Sequence, residues 1–485
     1  MDAVNYGDNR WSIVFGKYEG PEKVAVNQIN AVIGAYTPYI LTANPAKDIR
    51  PEQLKSINPV LIGTAKSNPY IAKLVQEGVI KESGKTEGYT IKVMQSAYNK
   101  EKQMIVITGD DEAGLLYGSM DFDGEYLQKT KYPENQSSDE VDFFDKPMEE
   151  FELISAPKVA NRAIWTWGHV IYNYEKFICN MVKLKLNMVV IWNDFVPVNA
   201  KDMIDYAHAH GIKVIWGYSW GWGVDLNLSN ERDFENWVNI PLKMYEEQYA
   251  HLNGDGLYFQ SFTETADDTK DGLIIAEEVT KWTNKMASKI LDKHPNLEIQ
   301  FGLHATSVKD KLQYIQNVDP RVHIIWEDCG AFPYSYHPNK IGDFEQTKEL
   351  NKKIADLRGD EERFGVVLKG LISLDWNKFE HQKGRFVLGK ASEQFIKERT
   401  ADRRGIWKYV QAYWIKNAKY AQEIIRDMSE IRGGNLCIQA LVEDGMFENK
   451  IWYPVAVYAE LLWDYDKEIG DILCDTALRE DVEMA

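Results

Sequence analysis

Two hydrophobic rhythms run along the chain, and they change near residue 150. Between residues 10 and 130, short β-rich runs alternate with helical periods. WSIVFG precedes a helix expected over Val24–Tyr36, and PVLIGT precedes one over Asn68–Gln76. The runs GYTIKVM and KQMIVITGDD, joined by a turn at Asn99-Lys100, lead into a helix over Glu112–Leu127. Strands alternating with helices build a layered α/β domain. Residues 129–150, KTKYPENQSSDEVDFFDKPMEE, are polar, charged and carry proline, the composition of a linker or surface loop.

From Asn161 a strand–helix unit repeats eight times. Strands are expected over Arg162–Trp167, Met188–Asn193, Lys213–Gly221, Gly256–Glu264, Glu298–Ala305, Val322–Asp328, Phe364–Leu374 and Leu436–Glu443. A helical period follows each, the longest over Ala401–Ile431. Eight parallel strands close a (β/α)8 barrel, and about 300 residues fit that closure. An open doubly wound sheet fits less well, because no Gly-rich phosphate turn follows the first strand. The fold class expected is α/β: a small N-terminal α/β sandwich domain over residues 1–150, then a (β/α)8 TIM barrel over 151–485 that includes the C-terminal helix.

Composition narrows the partners. Of 485 residues, 56 are Lys or Arg and 74 Asp or Glu, a formal net charge of −18, which disfavours a nucleic-acid or membrane partner. The start MDAVNYGDNRWSIVFG shows no basic stretch leading into an apolar one, so no signal peptide is read and a cytoplasmic location is expected. Cys179, Cys329, Cys437 and Cys474 follow no metal-ligand spacing and read as reduced thiols. No triple-histidine, HExxH or CxxC set points to a metal, and no cofactor is expected. A homodimer is left open.

In such a barrel the chemistry sits where the strands end. Those ends deliver Trp165 and Trp167; Trp192, Asn193 and Asp194; Trp220 and Trp222 between glycines; Glu264; His304; Trp326, Glu327 and Asp328; Lys369 and Trp376; Glu443 and Asp444. Many of the chain's 15 Trp therefore fall beside carboxylates. Aromatic faces stack on a pyranose while Asp, Glu, Asn, His and Lys bond its hydroxyls. Two carboxylates then cleave a glycosidic bond, one as acid and the other as nucleophile or base. Glu264, ending an apolar strand, is the candidate acid; its rival reading is a carboxylate favoured at a helix start. Glu327 and Asp328 are adjacent, so at most one faces inward while the strand lasts, and either is the candidate second carboxylate. Trp192, Asn193, Trp220, Trp222, His304, Lys369, Trp376 and Glu443 are candidate substrate-binding residues. Lys369 reads equally as a core lysine paired with a carboxylate. Lys369 and Arg162 are the candidate cations for a uronic acid.

PVLIGTAKSNPYI, EGYTIKV and MIVITGDDEAGLLYGSMDFDGEYL together resemble the non-catalytic N-terminal domain of family 20 β-N-acetylhexosaminidases and family 67 α-glucuronidases. GDDEAGLLYG is similar to the G-x-x-x-x-G-x-x-Y-G of that domain. NYEKFICNMVKLKLNMVVIWND is similar to the start of both families' barrels. The resemblance implies a catalytic barrel behind the small domain and a glycoside hydrolase acting on an N-acetylhexosamine- or uronic-acid-containing glycan. Family 20 carries an Asp-Glu pair after strand 4; here the pair is Thr263-Glu264, so the acid matches and the residue that holds an acetamido group does not. An acid at Glu264 with Glu327 or Asp328 resembles the family 67 outline better. The competing expectations are a catalytically inactive carbohydrate-binding barrel, and a sugar isomerase or lyase with a phosphate site after strands 7 and 8.

Overall fold

The computed structural model describes residues 10–37, 39–128, 148–220, 226–260, 267–304, 310–327, 343–371, 381–442 and 447–485. Among the candidates, Trp222, Glu264, Asp328, Trp376 and Glu443 lie outside the described residues. The chain divides into two compact units. One runs to Pro157 and includes the short segment His208–Gly211; the other holds Lys158–Ala207 and Ile212–Ala485. Among the described residues no helix is long and apolar enough to cross a membrane.

The first unit is a six-stranded sheet of β1 (Trp11–Phe15), β2 (Thr42–Pro45), β3 (Asn58–Thr64), β4 (Tyr89–Gln95), β5 (Gln103–Gly109) and β6 (Phe151–Ser155). Its order is β2-β1-β3-β5-β4-β6. β4 and β5 form the antiparallel hairpin expected around Asn99-Lys100, with Gln95 opposite Gln103. The boundary expected at residue 150 moves later here. β6 pairs antiparallel with β4, so the small domain's sheet extends past it. Phe151–Ser155 alternates exposed and half-buried positions, as suits an edge strand. The helix starts follow local chemistry: Asn68 caps Pro69–Gln76 by accepting from the Tyr70 amide, and Asp111 caps Glu112–Asp121 by accepting from the Gly114 amide.

The second unit is the closed parallel barrel. Its strands are β7 (Asn161–Trp167), β8 (Met188–Trp192), β9 (Lys213–Gly217), β10 (Gly256–Phe259), β13 (Glu298–Leu303), β14 (Val322–Trp326), β15 (Phe364–Leu368) and β16 (Leu436–Leu441). A short hairpin of β11 (Thr269–Lys270) and β12 (Leu273–Ile274) stands between β10 and the next barrel strand. β17 (Ile451–Trp452) pairs with β18 (Val482–Glu483) after the barrel closes. All eight barrel strands appear where the apolar runs put them, and several end earlier. β9 stops at Gly217 rather than Gly221, with the Trp192 ring packed so close that a Cβ at Gly217 would lie 2.7 Å from Trp192 Cε3. The last long helix starts earlier than expected, at Glu393, where Ser392 accepts from the Phe395 amide. Alternate strand residues fill the interior: Ala163, Trp165 and Trp167; Met188, Val190 and Trp192; Ile215; Tyr258; Ile325; Val367; Cys437.

Candidate active site

The alternation that packs the barrel also sets which side chains reach its C-terminal mouth. Gln260 lies two residues beyond Tyr258, Glu327 two beyond Ile325 and Lys369 two beyond Val367, so each shares the inward face of its strand. His304 joins them from the end of β13. Glu327 thereby faces the barrel interior.

These residues form one buried network. Tyr258 Oη and Gln260 Nε2 both donate to Glu327 Oε1. His304 Nε2 lies 2.9 Å from Glu327 Oε2, and Lys369 Nζ lies 3.3 Å from His304 Nδ1. An ammonium has only donors, so His304 Nδ1 accepts and Nε2 carries the proton given to Glu327. Burial pushes the Glu327 carboxyl up, but the His304 hydrogen bond, the nearby Lys369 charge and the Tyr258 hydroxyl hold it below the ordinary carboxylate range. The result is a carboxylate that stays ionised inside the barrel. Such a group serves as nucleophile, base or charge stabiliser, not as a proton donor.

Room for this cluster depends on a glycine. A Cβ at Gly302 would collide with Glu327 Oε1 and the Tyr258 hydroxyl. Beside the network stands an aromatic wall. Trp165 stacks on Trp192 at 6.0 Å and meets Trp167 edge-on at 5.6 Å, while Tyr258 meets Trp165 at 5.9 Å. Trp165 Nε1 is buried with no protein acceptor among the described residues.

The sequence-derived candidates divide. Glu327, His304 and Lys369 come together. Trp192 belongs to the wall but is only 7% exposed. Asn193 is fully buried; its Nδ2 makes a long 3.4 Å bond to the Ile191 carbonyl, and its Oδ1 has no partner among the described residues. Trp220 is not a platform. It is fully buried, stacked on Phe259 at 4.2 Å and edge-on to Trp282, because the chain turns outward once β9 ends. Arg162 is also corrected. It is fully buried on the outward face of β7 and donates to the carbonyls of Lys185, Val159 and Ala160, satisfying backbone rather than a substrate. Tyr258, Gln260, Trp165 and Trp167 join the site without being among the sequence-derived binding candidates. Their signal is the period-2 spacing of polar and aromatic residues at the end of an apolar strand.

No protein-family model matches the sequence, and no curated protein matches it. Solved structures of like fold exist. One is a family GH115 4-O-methyl-α-glucuronidase with specificity for decorated arabinogalactans, at 12% identity and TM-score 0.52, covering 96% of this chain and 58% of that one. Another is a GH138 enzyme targeting pectin rhamnogalacturonan II, at 12% identity and TM-score 0.51, covering 94% of this chain and 51% of that one. The chain thus spans little more than half the length of these glycoside hydrolases, with which it shares a fold.

Proposed function

We propose that the chain is a glycoside hydrolase working at the C-terminal mouth of its barrel. The observation that carries this reading is Glu327: a carboxylate kept ionised by Tyr258, Gln260 and the Lys369–His304 pair, beside a wall of Trp165, Trp167 and Trp192. Two-carboxylate hydrolysis pairs such a group with a second carboxyl that holds its proton. Glu264, which follows β10 in the sequence, is the residue proposed for that second role. Glu327 attacks C1 or activates water as Glu264 protonates the leaving oxygen.

The finer proposal is a glycan containing a uronic acid or an N-acetylhexosamine. Lys369 favours the uronate, since an ammonium at the mouth pairs with a sugar carboxylate. The fold shared with a 4-O-methyl-α-glucuronidase is in keeping with it. A panel of aryl glycosides of GlcA, GlcNAc, Glc and Gal in both anomers tests the reading. Release of aryl alcohol that Glu327→Gln abolishes supports it. Saturable sugar binding with no turnover on any member would instead make this a carbohydrate-binding barrel, a reading favoured by how completely the Glu327 oxygens are engaged.

A further inference from the structure

A cavity on the barrel unit shares no residue with the Glu327 network. It has a volume of about 320 Å3 and opens between the first turns of the helix Glu393–Arg432 and the segment after β16. Its lining includes Lys397, Thr400, Arg404, Glu448, Lys450 and Glu483. Arg404 is paired with Glu483. Lys397 and Lys450 have no side-chain hydrogen bond or ion pair among the described residues. Two cations thus face one cavity with their charge uncompensated.

We propose that this cavity is a binding site for a small oxyanion, a phosphate or sulfate group, held by Lys397 and Lys450 with Arg404 at its edge. Three features converge on it. The first is the pair of uncompensated ammonium groups, which act on a tetrahedral anion as point charges. The second is position. β15 and β16 are the seventh and eighth barrel strands, and the segments after these strands are where barrels frequently hold phosphate groups.

The third feature is Glu448, which would oppose an anion if it were ionised. Its side chain is buried, with Oε1 accepting from the Tyr172 amide at 2.8 Å and Oε2 from the Phe447 amide at 3.1 Å. Burial pushes its carboxyl up to about 7, against the pull of those amides. Below that pH it is neutral and adds no negative charge beside the cavity. The charged neighbours around it are otherwise engaged or cationic. Lys176 bonds Glu393 and Asn449, Arg399 donates to the Tyr172 hydroxyl, and Lys397, Arg404 and Lys450 line the cavity. Anion binding therefore strengthens as Glu448 takes up its proton.

The test is calorimetric titration of the full chain with sodium sulfate at constant ionic strength, at pH 6 and pH 8. Sulfate keeps its charge over that range. Saturable binding is expected, weaker at pH 8. The double variant Lys397→Ala/Lys450→Ala should lose at least about tenfold in affinity at an unchanged melting temperature. Glu448→Gln should retain binding and remove the difference between the two pH values. Inorganic phosphate, titrated in parallel at pH 6, should compete with sulfate. Absence of saturable binding overturns the proposal, and so does a double variant that binds as tightly as the parent, which would assign the anion to another cationic site. Should Glu448→Gln fail to fold, the lysine variant decides alone.

Discussion

His304 Nε2 stands 2.9 Å from Glu327 Oε2, while the opposite ring nitrogen of His304 faces Lys369 Nζ at 3.3 Å. The imidazole thus passes the influence of a cation to a carboxylate on the far side of its ring. Lys369 is a positioning residue in this arrangement, and it should be separable from Glu327 by pH. In Lys369→Met the Glu327 carboxyl loses one of the groups that hold it low, so the acidic limb of kcat/KM on an active glycoside should move up by about one pH unit. Glu327→Gln should instead lose about 10^2- to 10^4-fold in kcat at every pH. An acidic limb that stays in place in Lys369→Met would remove the lysine from this role.

Gly302 should tolerate no side chain. A methyl group there collides with Glu327 Oε1 and the Tyr258 hydroxyl, so both must shift or the strand must bend. Gly302→Ala is expected to cost about 1–3 kcal/mol in stability by denaturant unfolding and to lower kcat more than KM. A variant with parental stability and kcat would show that the cluster has slack the geometry does not reveal.

Trp220 and Trp165 should part company although both sit near strand ends. Trp220 packs among Phe259, Trp282 and Tyr218, so Trp220→Ala should cost ~3–5 kcal/mol through the cavity it leaves. At temperatures where the variant stays folded its KM should match the parent's. Trp165→Phe keeps most of the packing and removes the buried N–H, so its effect should fall on sugar binding. Measuring KM and melting temperature for both distinguishes them, and a raised KM in Trp220→Ala alone would restore its platform role.

Glu448 should make stability depend on pH. Its carboxyl sits at about 7 in the folded chain, above the ordinary 4.5, so the folded state holds the proton more tightly than the unfolded one. The stability this contributes is fully present below about pH 4.5 and is lost as pH rises through about 7. Glu448→Gln should remove that loss, on the order of 3 kcal/mol at full extent. Urea unfolding of parent and variant from about pH 5 to about pH 8 reads it directly. Parallel curves for the two would mean that the Glu448 carboxyl does not titrate in this window.

Much of the fold is legible in the residues because its signal is local. An apolar run of five or six residues followed by a helical period specifies a parallel strand and its return helix, and eight such units leave a barrel as the simplest closure. The hairpin at Asn99-Lys100 and the caps at Asn68 and Asp111 rest on neighbours in the chain. The nomination of Glu327, His304 and Lys369 also comes from the strand ends alone. β6 is not legible as a sheet strand, because an edge strand buries little and its partner β4 lies about 60 residues away in sequence.

What only the tertiary structure decides is facing and partnership. Adjacent Glu327 and Asp328 are equal in the sequence; strand parity, anchored by Ile325 in the core, turns Glu327 inward. Trp220 and Arg162 look like ligand groups until the chain's turn after β9 and the outward face of β7 bury them. The ionised state of Glu327 depends on Tyr258, Gln260, His304 and Lys369, which lie between 23 and 69 residues from it and meet it only around the barrel axis. Local pattern carries hydrophobic period and turn chemistry. Closure of the barrel alone brings distant side chains within hydrogen-bond reach, and that reach sets the charge on the carboxylate.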